Sequence, residues 1–508
     1  MKKLLAVLLS VLLASCVVVS RRVEVKSVST RTPVTVKSPV KAHLKDGSTV
    51  LYPDGIVVTG TELIGRGTHY DAALKQDKYI DIVPIDAVLG MESYRERVDG
   101  AETFIVTSLA TVAGVFGTAA LAVAIFGSCP TVYSATGLEE AELFSSSIAP
   151  LFEGRDIDRL NTGADPNGAV TLDIRNEAME THYINHLQLL EVRHQPDERV
   201  VPDAKGTPIV VGPLTQPLVA TNRHGRDLRD VIAKADGRHY LSERATLDAA
   251  TAADMNDWID VTVPVAKDAT SAALVFRMRN SLLNTILLYD VMLGPAGAAS
   301  IDWLGDGLTR ISTAVELGRW HQERAGFHVS VWENGGYREV VRVPDSGPIS
   351  WHDVAAVVPV PRGESQLRVR LSYLADHWRI DQMGVSFAVR NAAARAIPIT
   401  NVKGRAGLPE NDALKHVSAP DDHYLQTHPG QQFSAVFDAG IAPGVTRTFL
   451  LSSQGYYTEW IRGSWLRDAT VTEPFMPSDD AVLAAMRKWS TTRGDFEKRF
   501  TSHRVPVK

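Results

Sequence analysis

Two cysteines in 508 residues leave no disulfide framework to hold the chain together. Basic residues are not in excess either. Lys and Arg number 53 against 59 Asp and Glu, and the net charge of −6 speaks against nucleic acid as a partner, because phosphate binding needs a basic surface. Arg21, Arg22 and Lys26 form one short basic cluster. There is no GxSxG elbow, no P-loop and no HExxH pair, so three common catalytic designs find no support. Nothing points to a cofactor. What is present is ordinary globular composition, 44% hydrophobic and 22% charged, in a chain long enough for roughly three or four domains of about 100–200 residues each.

The N-terminus carries the most specific signal. Lys2 and Lys3 precede an apolar run from Leu4 to Leu13, followed by Leu13-Ala14-Ser15-Cys16. Charge, apolar stretch, small residues and cysteine, in that order, make a secretory signal. The segment resembles the lipobox of bacterial lipoproteins. That resemblance implies cleavage before Cys16, acylation of Cys16, and membrane lipid as a partner; two or three acyl chains anchor a protein firmly where one does not. It also implies a cell-envelope location. With Val17 rather than an acidic residue next, the outer membrane is favoured in a Gram-negative cell.

The remainder reads as mainly β with a few helices. After the signal (1–16) and a polar tether (17–33), residues 34–95 are expected to form a small β-domain. Their short β-branched runs are broken at Asp46-Gly47 and at Pro53-Asp54-Gly55, which are hairpin signals. Residues 103–127 are uncharged after Glu102 and apolar enough for one helix; as a helix, residues 104–127 would span about 36 Å, the order of a bilayer core. That helix crosses a membrane, packs within the protein, or oligomerises. Cys129 and Pro130 mark its end.

Two or more β-sandwich modules are expected beyond it, at 128–262 and 263–400, the second with a helical insert around Leu308 to Leu317 closed by Gly318. Residues 169–194 and 271–293 read as duplicated strand–turn–strand units, with Arg175-Asn176 matching Arg279-Asn280 and Thr181 matching Thr285. A looser echo occupies 366–387. Its Trp378-Arg379-Ile380-Asp381, with Asn334-Gly335-Gly336 at a turn, resembles jelly-roll, galactose-binding-like domains over about 270–390. The last segment, 401–508, has β-runs and then an amphipathic helix from Asp480 to Phe500, capped by Ser478-Asp479. The blocks "FGSCPTVYS", "RNEAMETHYINHL", "RNSLLNTILLYD" and "QGYYTEW", in this order, resemble a set of bacterial envelope lipoproteins with which no activity is associated.

Candidate chemistry is sparse. Glu180, His182 and His186 share one face if their segment is a strand, and His182 and His186 are an i,i+4 pair if it is a helix; these are the weak metal candidates. Glu177 with Glu180, or Asp376 with Asp381, offer a carboxylate pair of the kind glycoside hydrolysis uses. No catalytic residue is assigned from them. Tyr456, Tyr457, Trp460, Trp465 and Trp378 are the aromatic ligand surface if exposed, and core if buried. The expected function is binding or assembly at the envelope, with a protein or glycan ligand. An envelope polysaccharide hydrolase is the alternative, and a structural subunit that homo-oligomerises through 103–127 is a second.

Overall fold

Short β-branched runs become strands where their alternate residues find a common core. The computed structural model describes residues 21–23, 34–37, 40–44, 48–52, 54–70, 76–93, 96–98, 109–111, 130–140, 142–144, 147, 153–178, 180–296, 299–303, 311–404, 410–421, 423–427, 431–459, 470 and 478–500. Cys16, Cys129, Trp460 and Trp465 lie outside them. The contacts divide the chain into two units, residues 1–71 with 76–114, and residues 72–75 with 115–508.

In the first unit, Val40–Leu44 pairs antiparallel with Thr49–Tyr52 and with Val88–Ser93. Val40, Ala42, Val50, Tyr52, Leu63 and Met91 fill its core. Asp46-Gly47 falls outside the described residues, but the strands on either side of it pair as a hairpin should. Gly55 is required where it stands. Its φ is +86°, and a Cβ there would meet the Val36 carbonyl oxygen at 2.0 Å.

The expected 103–127 helix is not what its described residues form. Leu109–Thr111 is a strand, paired with residues 90–92 of Val88–Ser93. The edge of that sheet supplies the backbone partners that a helix would have to supply internally. Other residues of 103–127 lie outside the described set. Among the described residues, no helix is long and apolar enough to cross a membrane.

The second unit is built from β-layers. A nine-stranded sheet runs in the order Gly137–Glu140, Thr131–Ser134, Ala169–Arg175, Gln432–Asp438, Ala394–Lys403, Glu180–Arg193, Arg447–Glu459, Gly154–Arg159, with Leu425–Thr427 also paired to Glu180–Arg193. Its core holds Leu172, Ile174, Ile184, Leu187, Leu189, Phe433 and Phe437. A second sandwich stacks the five strands Val219–Asn222, Asn256–Pro264, Gln366–Leu374, Phe327–Glu333 and Gly336–Val343 against the three strands His352–Pro359, Ser271–Asn280 and Trp378–Ser386. Ile259, Leu274, Phe276, Phe327, Val369, Leu371 and Trp378 lie between the layers. The first of these assemblies takes strands from both 131–193 and 394–459, so its strands straddle the breaks at 262 and 400 expected from the sequence.

The proposed repeat is half kept. Asn176 and Asn280 each close a strand and are 1% exposed. The Asn176 amide donates to the carbonyls of Glu180 and Thr427, both at 2.9 Å. Asn280 Oδ1 accepts the N–H groups of Ser346 at 2.7 Å and Gly347 at 2.9 Å. Beyond these turns the copies part. Glu180–Arg193 is a strand, whereas Leu283–Thr285 and Ile286–Leu293 are helical.

The helical copy buries Leu283, Ile286, Leu287 and Met292 against the Asp479–Phe500 helix, which contributes Val482, Met486 and Trp489. Apolar residues on successive positions suit a helix enclosed on more than one side better than a strand with one wet face. The third echo is not a hairpin. Gln366–Leu374 and Trp378–Ser386 belong to opposite layers, joined by a corner at Asp376 with φ 62°.

The C-terminal helix begins as its sequence predicts, with Ser478 Oγ accepting the Ala481 N–H at 3.2 Å. A buried ionic cluster pins it. Arg379, 0% exposed, pairs with Asp376 at 2.8 Å and with Glu497 of the helix at 3.0 Å. The Trp489 indole donates to Asp376 at 2.6 Å. The insert helix, Ile311–Arg324, runs through Gly318 instead of ending there, because Trp320 in its next turn packs against the same helical core.

Candidate functional site

Several residues singled out in the sequence turn out to build the fold. Tyr456 is 3% exposed, Tyr457 7% and Trp378 0%, so the nine-stranded sheet and the sandwich each absorb their aromatics, and none of the three is a stacking surface. Tyr456 stacks on Tyr183 at 4.5 Å, and the Trp378 indole donates to the Ala325 carbonyl at 3.0 Å.

His182 and His186 do not share a face. The register slips between Ile184 and His186, where Ile184 opposes Gly455 and His186 opposes Gln454, so the extra residue, Asn185, turns His186 to the other side. His182 stays with Glu180, 3.4 Å away, both fully buried. Glu177 accepts the hydroxyls of Thr131 at 3.0 Å and Tyr133 at 2.9 Å. Asp381 accepts the Gly237 N–H at 2.9 Å. In each suggested carboxylate pair the members meet different partners, Glu177 the two hydroxyls and Glu180 His182, Asp376 the Arg379 guanidinium and Asp381 that of Arg277.

The convergent chemistry lies elsewhere. A cleft of about 460 Å³ opens where the Gly137–Glu140 and Gly154–Arg159 strands approach the start of His352–Pro359. The register slips at Glu139, since Val132 opposes Glu140 and Tyr133 opposes Leu138, and both glutamates line this space, Glu139 accepting the Asn161 N–H. On Gly154–Arg159 strict alternation puts Asp156 and Asp158 on one face. His352 stands opposite Met278, and Asp353 beside it opposite Arg277. Asp353 is the brace of the cleft wall, taking Arg159 at 3.4 Å and Arg277 at 3.5 Å.

Glu140, Asp158 and His352 offer one metal-ligating atom each, all within 4.8 Å of one another. His352 Nδ1 is 3.4 Å from a carboxylate oxygen of Glu140 and 3.4 Å from one of Asp158. The other oxygen of Asp158 is buried without a hydrogen-bond partner, and so is His352 Nε2. Glu142 sits behind the group, its carboxylate accepting the backbone N–H groups of Ile349 and Ser350.

The electrostatics follow from crowding. Burial raises Asp158, and repulsion from Asp156 and Glu140 raises it further; burial likewise raises Asp156. Glu142 is pushed up to about 8 by burial, against the pull of the Ile349 N–H and of His352. Burial alone would lower His352, but Glu140 and Asp158 outweigh it and raise the imidazole to about 10. The result is a cationic ring ringed by carboxylates that compete for too few positive charges.

A second histidine cluster borders the cleft through Asp345. His321 Nε2 is 3.1 Å and the Asn284 amide 2.9 Å from its carboxylate. Burial works to raise Asp345, yet His321, His377 and Asn284 together hold it below the usual range. His377, buried, is lowered to about 4 and accepts from the Asn280 amide.

No protein-family model matches the chain, and no curated protein matches it. Among solved structures it is similar to an allantoicase, with 11% identity over 52% of this chain and 92% of that one and a TM-score of 0.18. It is also similar to a GH31 alpha-xylosidase from Xanthomonas citri, with 11% identity over 84% of this chain and 38% of that one, TM-score 0.15. A third is an exo-beta-1,3-galactanase from Phanerochaete chrysosporium, with 8% identity over 72% of this chain and 99% of that one, TM-score 0.15. Likenesses this distant assign neither a fold family nor an activity.

Proposed function

We propose that this chain is an envelope-anchored binding protein whose cleft takes a hydroxyl-rich glycan. The anchor is the acylated Cys16 that the N-terminal signal implies. The observation that carries the binding reading is the cleft itself. Its walls present carboxylates (Glu140, Asp156, Asp158), guanidinium groups (Arg155, Arg159, Arg277) and half-buried Trp351, drawn from segments far apart in the chain. Sugar hydroxyls both donate and accept, so a wall of mixed charge with an aromatic ring suits them better than a uniformly charged or apolar one.

The test is retention of purified envelope polysaccharide on the immobilised protein. Binding is expected with the wild type and a loss of about tenfold or more with Trp351→Ala, consistent with about 1–3 kcal/mol for an anchoring aromatic. No retention of any envelope glycan sinks the reading. Anchoring is tested separately: Cys16→Ser is expected to leave the membrane fraction and lose fatty-acid label.

The hydrolase reading has one observation in its favour, the convergence of carboxyl groups in the cleft with protonation pushed upward by burial and mutual repulsion. Paired acidic and ionised carboxyls are what glycosidic cleavage requires. Release of new reducing ends from the retained polysaccharide decides between the two.

A further inference from the structure

Four carboxyl groups, Glu140, Glu142, Asp156 and Asp158, gather around a single imidazole, His352. Buried carboxylates are tolerated when cations or hydrogen bonds repay their lost hydration. Here the repayment is incomplete. Asp158 is 7% exposed, and one of its oxygens has no hydrogen-bond partner although it is shielded from solvent. Of the three guanidinium groups at the cleft wall, Arg159 and Arg277 are engaged with Asp353, Arg277 also with Asp381 at 3.3 Å, and Arg155 donates to the Ser452 hydroxyl at 2.8 Å.

The spacing is informative. A charge-assisted N–H···O bond closes to about 2.7–2.9 Å. His352 Nδ1 instead stands 3.4 Å from both carboxylates. Two ligands of a tetrahedral ion with bonds of about 2.1 Å lie about 3.4 Å apart, so the gap matches a metal between the groups better than a proton.

We propose that Glu140, Asp158 and His352 hold a divalent first-row metal ion, of the Zn2+ or Mn2+ class, at the wall of the cleft. One imidazole with two carboxylates is a mixed nitrogen and oxygen set, which favours such ions over Ca2+, whose sites are built from oxygen alone. Three protein ligands leave at least one coordination position for an oxygen atom of a cleft ligand. The role of that position in ligand capture rests on the binding reading above; the metal site itself does not.

The experiment uses the full chain, stripped with a chelator and titrated calorimetrically with ZnCl2, MnCl2 and CaCl2. One saturable Zn2+ or Mn2+ site is expected, with Ca2+ at least tenfold weaker. Asp158→Asn, nearly isosteric, and His352→Gln are each expected to weaken it by about 100-fold, while His321→Ala in the neighbouring cluster leaves it unchanged. Circular dichroism checks that the variants fold. Should a variant unfold, the Mn2+-loaded wild type still reports, because the electron-spin spectrum of a site with an imidazole ligand carries nitrogen coupling.

Absence of a saturable site, of nitrogen coupling, or of any effect of Asp158→Asn in a folded protein overturns the proposal. Ca2+ bound as tightly as Zn2+ does so too. Glycan retention measured with and without chelator separates the two readings. Metal bound without glycan removes the binding function and keeps the site. Glycan retained by a chain that takes no metal does the reverse.

Discussion

His182 and His352 each lie 3.4 Å from a glutamate, yet the protein drives them to opposite protonation states. His182 is 0% exposed and, among the described residues, pairs with one carboxylate, Glu180; burial lowers its imidazole to about 3. His352 meets Glu140 and Asp158 at the same distance, with Asp156 behind them, and rises to about 10. Distance to a carboxylate therefore does not decide the charge of a buried histidine. The balance between lost hydration and the number of anions does: a lone carboxylate fails to offset the desolvation of an imidazolium, and several succeed.

The sharpest way to break this comparison is to delete each ring in the metal-free protein and compare urea unfolding at pH 7. His352→Leu leaves a cluster of buried carboxylates without their cation and is expected to cost about 3–5 kcal/mol. Equal costs for this variant and His182→Leu would mean that the two rings carry the same charge.

The pH dependence should run in opposite directions. His352 binds its proton more tightly folded than unfolded, so its contribution is complete below about 6.5 and is lost as pH rises toward about 10. Glu142, raised to about 8, acts in the same sense, since the native state keeps a proton that the unfolded chain has released. His182 is the reverse. Its folded value lies below the unfolded one, so stability is lost as pH falls from about 6.5 toward 3. Each effect is of the order of a few kcal/mol across its window. His182→Leu should flatten the acid limb of stability against pH, and His352→Leu the alkaline limb. Imidazole nitrogen shifts give the same answer residue by residue: His352 still protonated at pH 8, His182 still neutral at pH 5.

Smaller effects refine it. His182→Leu at neutral pH loses a contact with the Thr427 hydroxyl, 3.3 Å away, and should cost about 1–2 kcal/mol by the same unfolding measurement. Glu142→Gln should change stability least, by less than about 1 kcal/mol, because an amide oxygen accepts the Ile349 and Ser350 N–H groups as well as a protonated carboxyl does. A large loss there would show that Glu142 carries a needed charge.

What was legible in the residues follows this division. Asn334-Gly335 forms the expected turn between Phe327–Glu333 and Gly336–Val343, with φ of 52° and 87°, because the left-handed conformation is a local property of those two residues. The C-terminal helix and its Ser478 cap were legible for the same reason. In the strand–turn–strand expected at 271–293 the first run is a strand and the second is helical, since a continuous apolar run suits a buried helix and a buried strand alike. The Glu180, His182, His186 alignment failed through one bulged residue, which alternation in a single strand does not reveal. No local signal marked Glu140, Asp158 or His352, each in its own short strand beside other charged residues, Glu139, Asp156 and Asp353, that nothing in the residue pattern sets apart from it.

The sequence by itself determined that this chain would stack β-layers, turn at Asn334-Gly335 and at Asp54-Gly55 and close with an amphipathic helix, because backbone preference and alternate burial act over a few residues. The tertiary structure alone decided that Glu140, Asp158 and His352 face one cleft and that Tyr456, Tyr457 and Trp378 do not face solvent. Those outcomes depend on the registers of strands that meet across hundreds of residues, and on how much water each group loses when they do.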